Sequence, residues 1–140
     1  MSFDEGLLRR AIELSAVAVK SGNGPYGSLL AGPDGTVFAE EWNTTTTDND
    51  ITAHPELKLA RWAARELDPN VAATTTMYTS CQPCGMCYGA IQRSGLGRVV
   101  FALTGEQAGE LTPGEAWPEV PHDGPHLYEE ARVPFGRPNG

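Results

Sequence analysis

Apolar residues fall at helical spacing in the first stretch of the chain: Leu7, Leu8, Ala11, Ile12, Leu14, Ala18 and Val19. They predict an amphipathic helix. Ser2 with Glu5 three residues on has the form of a capping box at its start. The segment "SGNGPYG", 21–27, stops it. The period then shortens to that of strands. "SLLAG" (28–32) and "TVFAE" (36–40) flank "PDG" and predict a β-hairpin turning at Pro33–Gly35. A polar loop, "WNTTTTDND", follows at 42–50. "PELKLARWAAREL", 55–67, returns to helical spacing with Pro55 at the first position, where its missing N–H costs nothing. "TTTMYTS" (74–80) is β-branched and aromatic and predicts a strand. "CGMCYGAIQRS" (84–94) predicts a helix ended by Gly95, and "RVVFAL" (98–103) a last strand.

The order β-β-α-β-α-β implies an α/β fold, a sheet with helices packed on it. At 140 residues the chain has the length of one domain that buries a core without cross-links. Residues 112–140 differ in character. These 29 positions hold six of the 11 prolines and four glycines, so we expect a C-terminal segment, 112–140, acting as a lid or a tail, with one helical turn near "HLYEEAR".

Charge narrows the partners. Eighteen acids against 10 bases leave a formal charge of −8, and the bases form no run. Such a surface repels a phosphate backbone, so no nucleic acid is expected. No stretch approaches the roughly 18 apolar residues of a membrane span, and "MSFDEGLLRR" lacks the pattern of a signal peptide. Three cysteines make a poor disulfide framework and suit a reducing compartment, so a cytoplasmic location is expected.

Those cysteines carry the candidate chemistry. Cys84 and Cys87 are three apart at the start of a predicted helix, on one face, where the helix dipole favours thiolate. Zinc takes thiolates with imidazole. Of the three histidines, His54 opens the other predicted helix, with Glu56 two residues on. Since the residue before Pro55 need not be helical, His54 and Glu56 can converge on one point. Three ligands would leave a fourth position for water, whose proton Glu56 could move.

His54-Pro55-Glu56 with Pro83-Cys84-Gly85-Met86-Cys87 has the H-x-E…P-C-x-x-C form of the zinc deaminases. "NGPYGSLL", "NTTTTDNDITAHPE", "MYTSCQPCGMCYGAI" and "GRVVFA" extend the likeness over residues 5–102. The chain resembles the cytidine deaminase-like superfamily, most closely bacterial guanine deaminases. The resemblance implies a three-layer α/β/α sandwich around a mixed five-stranded sheet, a homodimer, and one Zn²⁺ per chain held by His54, Cys84 and Cys87. It implies hydrolysis of an amino-substituted heterocycle, a purine base or nucleoside such as guanine, with Glu56 carrying protons and ammonia leaving. It gives Asn43 a hydrogen bond to the base and puts Tyr26 beside the ring. The chain departs from the family at Pro55, Gln82 and Gly85. The acid that guanine deaminases carry after the last shared strand has no clear match, with Glu106, Asp123 and Glu129 as candidates.

Several alternatives stand beside these readings. Cytosine or another pyrimidine or triazine amine would suit the same motif. A Cys₃His site including Cys81 would make a closed, non-catalytic zinc module. Glu56 would then have no task, so we expect Cys81 to be a buried non-ligand. Loop residues 44–47 read as a plain polar loop, and His122 and His126 as exposed tail residues. Trp117, Tyr128 and Phe135 are candidates for an aromatic lid.

Overall fold

The computed structural model describes residues 2–136. The last four positions of the expected tail, 137–140, lie outside them. Helix α1 spans Glu5–Lys20, strands β1 and β2 span Gly27–Ala31 and Val37–Trp42, and helices α2 and α3 span Pro55–Glu66 and Pro69–Ala72. Strand β3 is Thr76–Cys81, helix α4 Gly85–Ser94 and strand β4 Arg98–Leu103. Helices α5 (Gly105–Leu111) and α6 (Tyr128–Ala131) and a 3₁₀ turn at Val133–Phe135 follow.

The sheet order is β2-β1-β3-β4, with β1 antiparallel to both neighbours and β3 parallel to β4. The sheet is mixed, as expected, but it has four strands among the described residues, where five were expected. After β4 the chain turns into α5 instead of pairing. Thr104 is the reason: its hydroxyl accepts from Gln107 N–H while the Gln107 side chain accepts from Thr104 N–H, a capping box that starts a helix at once.

Helices cover both faces. Alternation along the strands sends Leu29, Ala31 and Tyr78 toward Ala11 and Leu14 of α1. The neighbouring Leu30 and Met77 point the other way, onto Leu59, Ala60 and Ala63 of α2 and Ile91 of α4. Each strand residue between the layers is buried on one face or the other, which is why all five positions of β1 are inaccessible. Gly27 lets α1 lie against the sheet. A Cβ there would stand 2.5 Å from Ser15 N and 2.6 Å from Ala11 O.

Two local expectations need correction. The cap of α1 is Asp4, whose carboxylate accepts from Leu7 N–H, and not Ser2. Asp4 wins because its own N–H donates to the Tyr78 hydroxyl at 3.1 Å, a tertiary contact that sets where the helix begins. The short helix α3 was not foreseen. Asp68 caps it and Pro69 takes its first position, but four residues hold too little periodicity to detect. The hairpin turn at Pro33–Gly35 and the stop at Gly95, in the left-handed region at φ 91°, agree with expectation.

Candidate active site

Two helix starts meet at one point. Pro55 occupies the first position of α2, so His54 before it is held extended, at φ −82° and ψ 141°. At α4 the proline stands one residue earlier: Pro83 precedes Cys84, the extended N-cap at ψ 172°, and Cys87 lies in the first turn. Cys84 therefore sits just outside the helix in which both cysteines were expected. The Lys58 N–H donates to the His54 carbonyl and the Tyr88 N–H to the Cys84 carbonyl, which frees the side chains of both caps.

His54 Nδ1 is 3.7 Å from Cys84 Sγ and 3.4 Å from Cys87 Sγ, and ligand atoms of all three residues lie within 4.8 Å of one another. A tetrahedral zinc with ordinary bond lengths needs nitrogen–sulfur separations of about 3.6 Å and a sulfur–sulfur separation of about 3.8 Å. The donor set and its spacing fit that ion. Cys81 is buried at the end of β3 and does not belong to this group. The donor group therefore has three members among the described residues, which does not match the closed Cys₃His module. His122 and His126 contribute no second cluster among the described residues. His126 pairs with Asp123 at 2.9 Å and His122 Nδ1 lies 3.4 Å from Val120 O, both on an exposed segment.

Glu56 is 5 % exposed. Burial pushes its carboxyl up to about 7, with the neighbouring His54 acting in the opposite direction. Hydrogen bonds from Cys87 and His54 bring the Cys84 thiol down to about 3, while that charge and burial push Cys87 up. His54 is raised by its contact with Cys84. The protein has thus drawn negative charge to a single point and buried a protonatable carboxyl beside it.

Asn43 is 4 % exposed and follows β2 directly. Its N–H donates to the Tyr26 carbonyl, and Thr44 N–H donates to the carbonyl of Ala53, the residue before His54. A Cβ on Gly24 would stand 3.1 Å from the Tyr26 ring and 3.9 Å from Asn43 Cγ, so these three residues form one cluster. Burial raises the Tyr26 phenol, with contributions from the charges of Cys81, Glu115 and Glu56. Glu115 is exposed and was not singled out in the sequence. The candidates named there lie elsewhere: Glu106 in the first turn of α5, Asp123 paired with His126, and Glu129 with Arg132.

The departures from the motif are harmless in place. A Cβ on Gly85 would meet nothing within 4 Å. Gln82 ties the site loop to α5 by accepting from Gly105 N–H at 3.0 Å. A cavity of about 390 Å³ between α1, β4 and α5 is lined by Ile12, Pro25, Tyr26, Leu103 and Leu111 among others. It shares Tyr26 with the site, and His54, Glu56, Cys84 and Cys87 do not line it. Trp117, Tyr128 and Phe135 are 90 %, 68 % and 88 % exposed, so none of them lids the site of its own chain.

A mixed sheet with two helix N-termini closing on a His-Cys-Cys set, and a buried glutamate beside it, defines a zinc-dependent hydrolytic deaminase. The profile of the cytidine and deoxycytidylate deaminase zinc-binding region matches residues 1–103, and the chain belongs to that family. Guanine deaminase of Bacillus subtilis is 36 % identical over 132 residues, which span 94 % of this chain and 83 % of the relative. A tRNA-specific adenosine deaminase of Haemophilus influenzae is 33 % identical, over 78 % of this chain and 63 % of its own length. A probable cytosine deaminase of Schizosaccharomyces pombe is 31 % identical over 94 % of this chain and 89 % of its own. The crystal structure of the Bacillus subtilis guanine deaminase superposes with a TM-score of 0.75 at 31 % identity, covering 96 % of this chain and 92 % of that one.

Proposed function

We propose that the protein deaminates guanine, with His54, Cys84 and Cys87 holding the zinc and Glu56 moving the protons. The observation that carries this reading is the Glu56 carboxyl, 5 % exposed and two residues from His54 of the three-donor set. A buried carboxyl so placed is within reach of carrying protons for a reaction at that set. When bound, zinc supplies a water that ionises near pH ~7 instead of ~9.

Glu56 takes a proton from the attacking water and delivers it to the ring nitrogen beside the carbon under attack. As the carbon–nitrogen bond breaks, the same carboxylate takes the remaining proton of the added hydroxyl and hands it to the departing amine. A carbon–oxygen bond has formed, a carbon–nitrogen bond has broken, and water plus the amine yield the carbonyl product and ammonia. Asn43 binds the base and Tyr26 flanks its ring. Guanine is favoured over other amines by the Bacillus subtilis relative, which covers nearly the whole chain.

A homodimer is supported by the C-terminal segment. Trp117, Val120, Leu127, Val133 and Phe135 are all at least 69 % exposed, an unusual apolar load for a free surface. The charge of −8 speaks against a nucleic-acid substrate despite the tRNA deaminases among the relatives. Three free thiols are in keeping with a cytoplasmic location, and among the described residues no helix is long and apolar enough to cross a membrane.

The test is ammonia release from guanine, guanosine, adenine, cytosine, cytidine and amino-triazines by the zinc-loaded protein, with Glu56→Gln in parallel. Turnover of guanine above the others, lost in the variant while one zinc per chain remains, is expected. Preference for cytosine would transfer the reading to a pyrimidine. Activity retained by Glu56→Gln would refute the mechanism.

A further inference from the structure

We propose that Lys58 and Thr45 are positioning residues that lock Asn43 with its amide nitrogen turned out as a hydrogen-bond donor to the substrate. The inference rests on the reading of Asn43 as a substrate contact. It gives the loop after β2 a task that its plain polar composition does not suggest.

The orientation of the Asn43 amide follows from chemistry. Its Oδ1 receives the Thr45 N–H at 3.0 Å and the Thr45 hydroxyl at 2.9 Å. A backbone N–H can only donate, so the atom facing it must be the carbonyl oxygen and not the amino group. The Nδ2 group makes no hydrogen bond among the described residues, yet no buried side-chain nitrogen or oxygen lacks a partner. Nδ2 therefore remains accessible although Asn43 as a whole is 4 % exposed. Asn43 can present a donor and cannot present an acceptor. The group it reads must carry a lone pair.

Lys58 holds the loop on both sides of that asparagine. Its ammonium donates to the Trp42 carbonyl at 2.8 Å and to the Thr44 hydroxyl at 3.1 Å, and its third partner is Glu41 at 3.0 Å. All three protons have acceptors. The Thr44 hydroxyl, having accepted from Lys58, donates onward to Asp48 at 2.7 Å. Asn23 secures the far end, its Oδ1 accepting from Thr46 N–H and Thr47 N–H. A plain surface ion pair would need only Glu41. Here the lysine side chain is 18 % exposed and bonds to the residues before and after Asn43. Lys58 lies two residues after Glu56 on α2, the helix that His54 caps. It thus joins the element that carries the proton shuttle to the segment that carries the substrate donor. Displacing a substrate contact by about 1 Å can lower turnover on the order of 10²-fold.

The experiment is a double-mutant cycle on the zinc-loaded enzyme with the substrate the panel selects, using Lys58→Met and Asn43→Ala singly and together. Lys58→Met is expected to lower kcat/KM about 10²-fold with one zinc per chain retained, and to cost less than about 3-fold when Asn43 is already alanine. Equal losses in both backgrounds would reduce Lys58 to a structural residue and overturn the inference. So would no loss in Lys58→Met. Thr45→Val, a nearly isosteric change, should act in the same direction but more weakly. Asn43→Asp keeps both Thr45 bonds, removes the donor, and should be as damaging as alanine.

Side-chain amide signals of Asn43 in a ¹⁵N spectrum separate this idea from the function it rests on. In Lys58→Met and Thr45→Val these protons should shift and exchange faster, whatever the enzyme turns over. Unchanged signals would overturn the positioning role alone. Absence of turnover across the panel, with the signals moved as expected, would overturn only the proposed substrate.

Discussion

Replacing Glu56 by glutamine tests the physical basis of the site without any substrate. In the metal-free protein, burial moves this carboxyl from its ordinary 4.5 to about 7. Between those values the folded chain holds a proton that the unfolded chain has released. Unfolding therefore becomes easier as pH rises from 4.5 to 7, by about 1.36 kcal/mol for each tenfold change in proton concentration. The full displacement corresponds to on the order of 3 kcal/mol lost by pH 8. Glutamine has nearly the same shape and no proton to lose. Cys84 works in the other direction, because its lowered thiol favours the folded state as pH rises, and His54 also titrates. The difference between the two proteins, not either curve alone, isolates Glu56. Denaturant unfolding of metal-free wild type and Glu56→Gln, with thiols kept reduced, would measure it from pH 5 to pH 8. The variant should gain steadily on the wild type across that range and overtake it or match it at the top. A difference that stays constant within about 0.5 kcal/mol would mean that Glu56 is not held protonated by burial. The account of it as a proton carrier poised near neutrality would then fail. With zinc bound, the same variant should lose about 10²- to 10⁴-fold in kcat, the usual worth of a positioned general acid–base.

Three further outcomes follow from particular contacts. Cys87→Ser should abolish stoichiometric zinc, whereas Cys81→Ser should retain one zinc per chain, both read by metal analysis of the purified protein; retention by the first or loss by the second would break the ligand assignment. Gly27→Ala should destabilise the fold by about 1–3 kcal/mol or more, because its methyl would meet the backbone of Ala11 and Ser15, which cannot yield as a side chain can. Asp4→Ala should cost about 1 kcal/mol in chemical denaturation, and Ser2→Ala close to nothing, since Asp4 alone caps α1.

Legibility in the sequence followed the range of the physics involved. His54, Glu56, Cys84 and Cys87 could be read because each depends on neighbours within three residues. Pro55 holds His54 before it out of α2, Cys84 is the extended N-cap of α4, and the first turn of each helix then brings the next functional side chain into place. The hairpin at Pro33–Gly35 and the stop at Gly95 are local in the same way. Asp4 shows where locality ends. Ser2 had the better motif, but a hydrogen bond to Tyr78, 74 residues away, moved the cap by two positions.

What the amino-acid sequence alone determined, then, was the period of each main helix and strand, the candidate zinc donors, and the class of chemistry they support. Each of these is set by backbone preference or by spacing along one element. Tertiary structure alone decided the number of strands, the place of Cys81 outside the donor group, and the hydrogen bonds of the threonine loop. Cys81 is only three residues from Cys84, yet it ends a strand while Cys84 caps a helix, and it stays outside the donor group. Lys58 reads as one more charge on a helix until the fold sets Trp42 and Thr44 against it. Hydrogen bonds between segments carry no period, and only the packed sheet brings their donors and acceptors into reach.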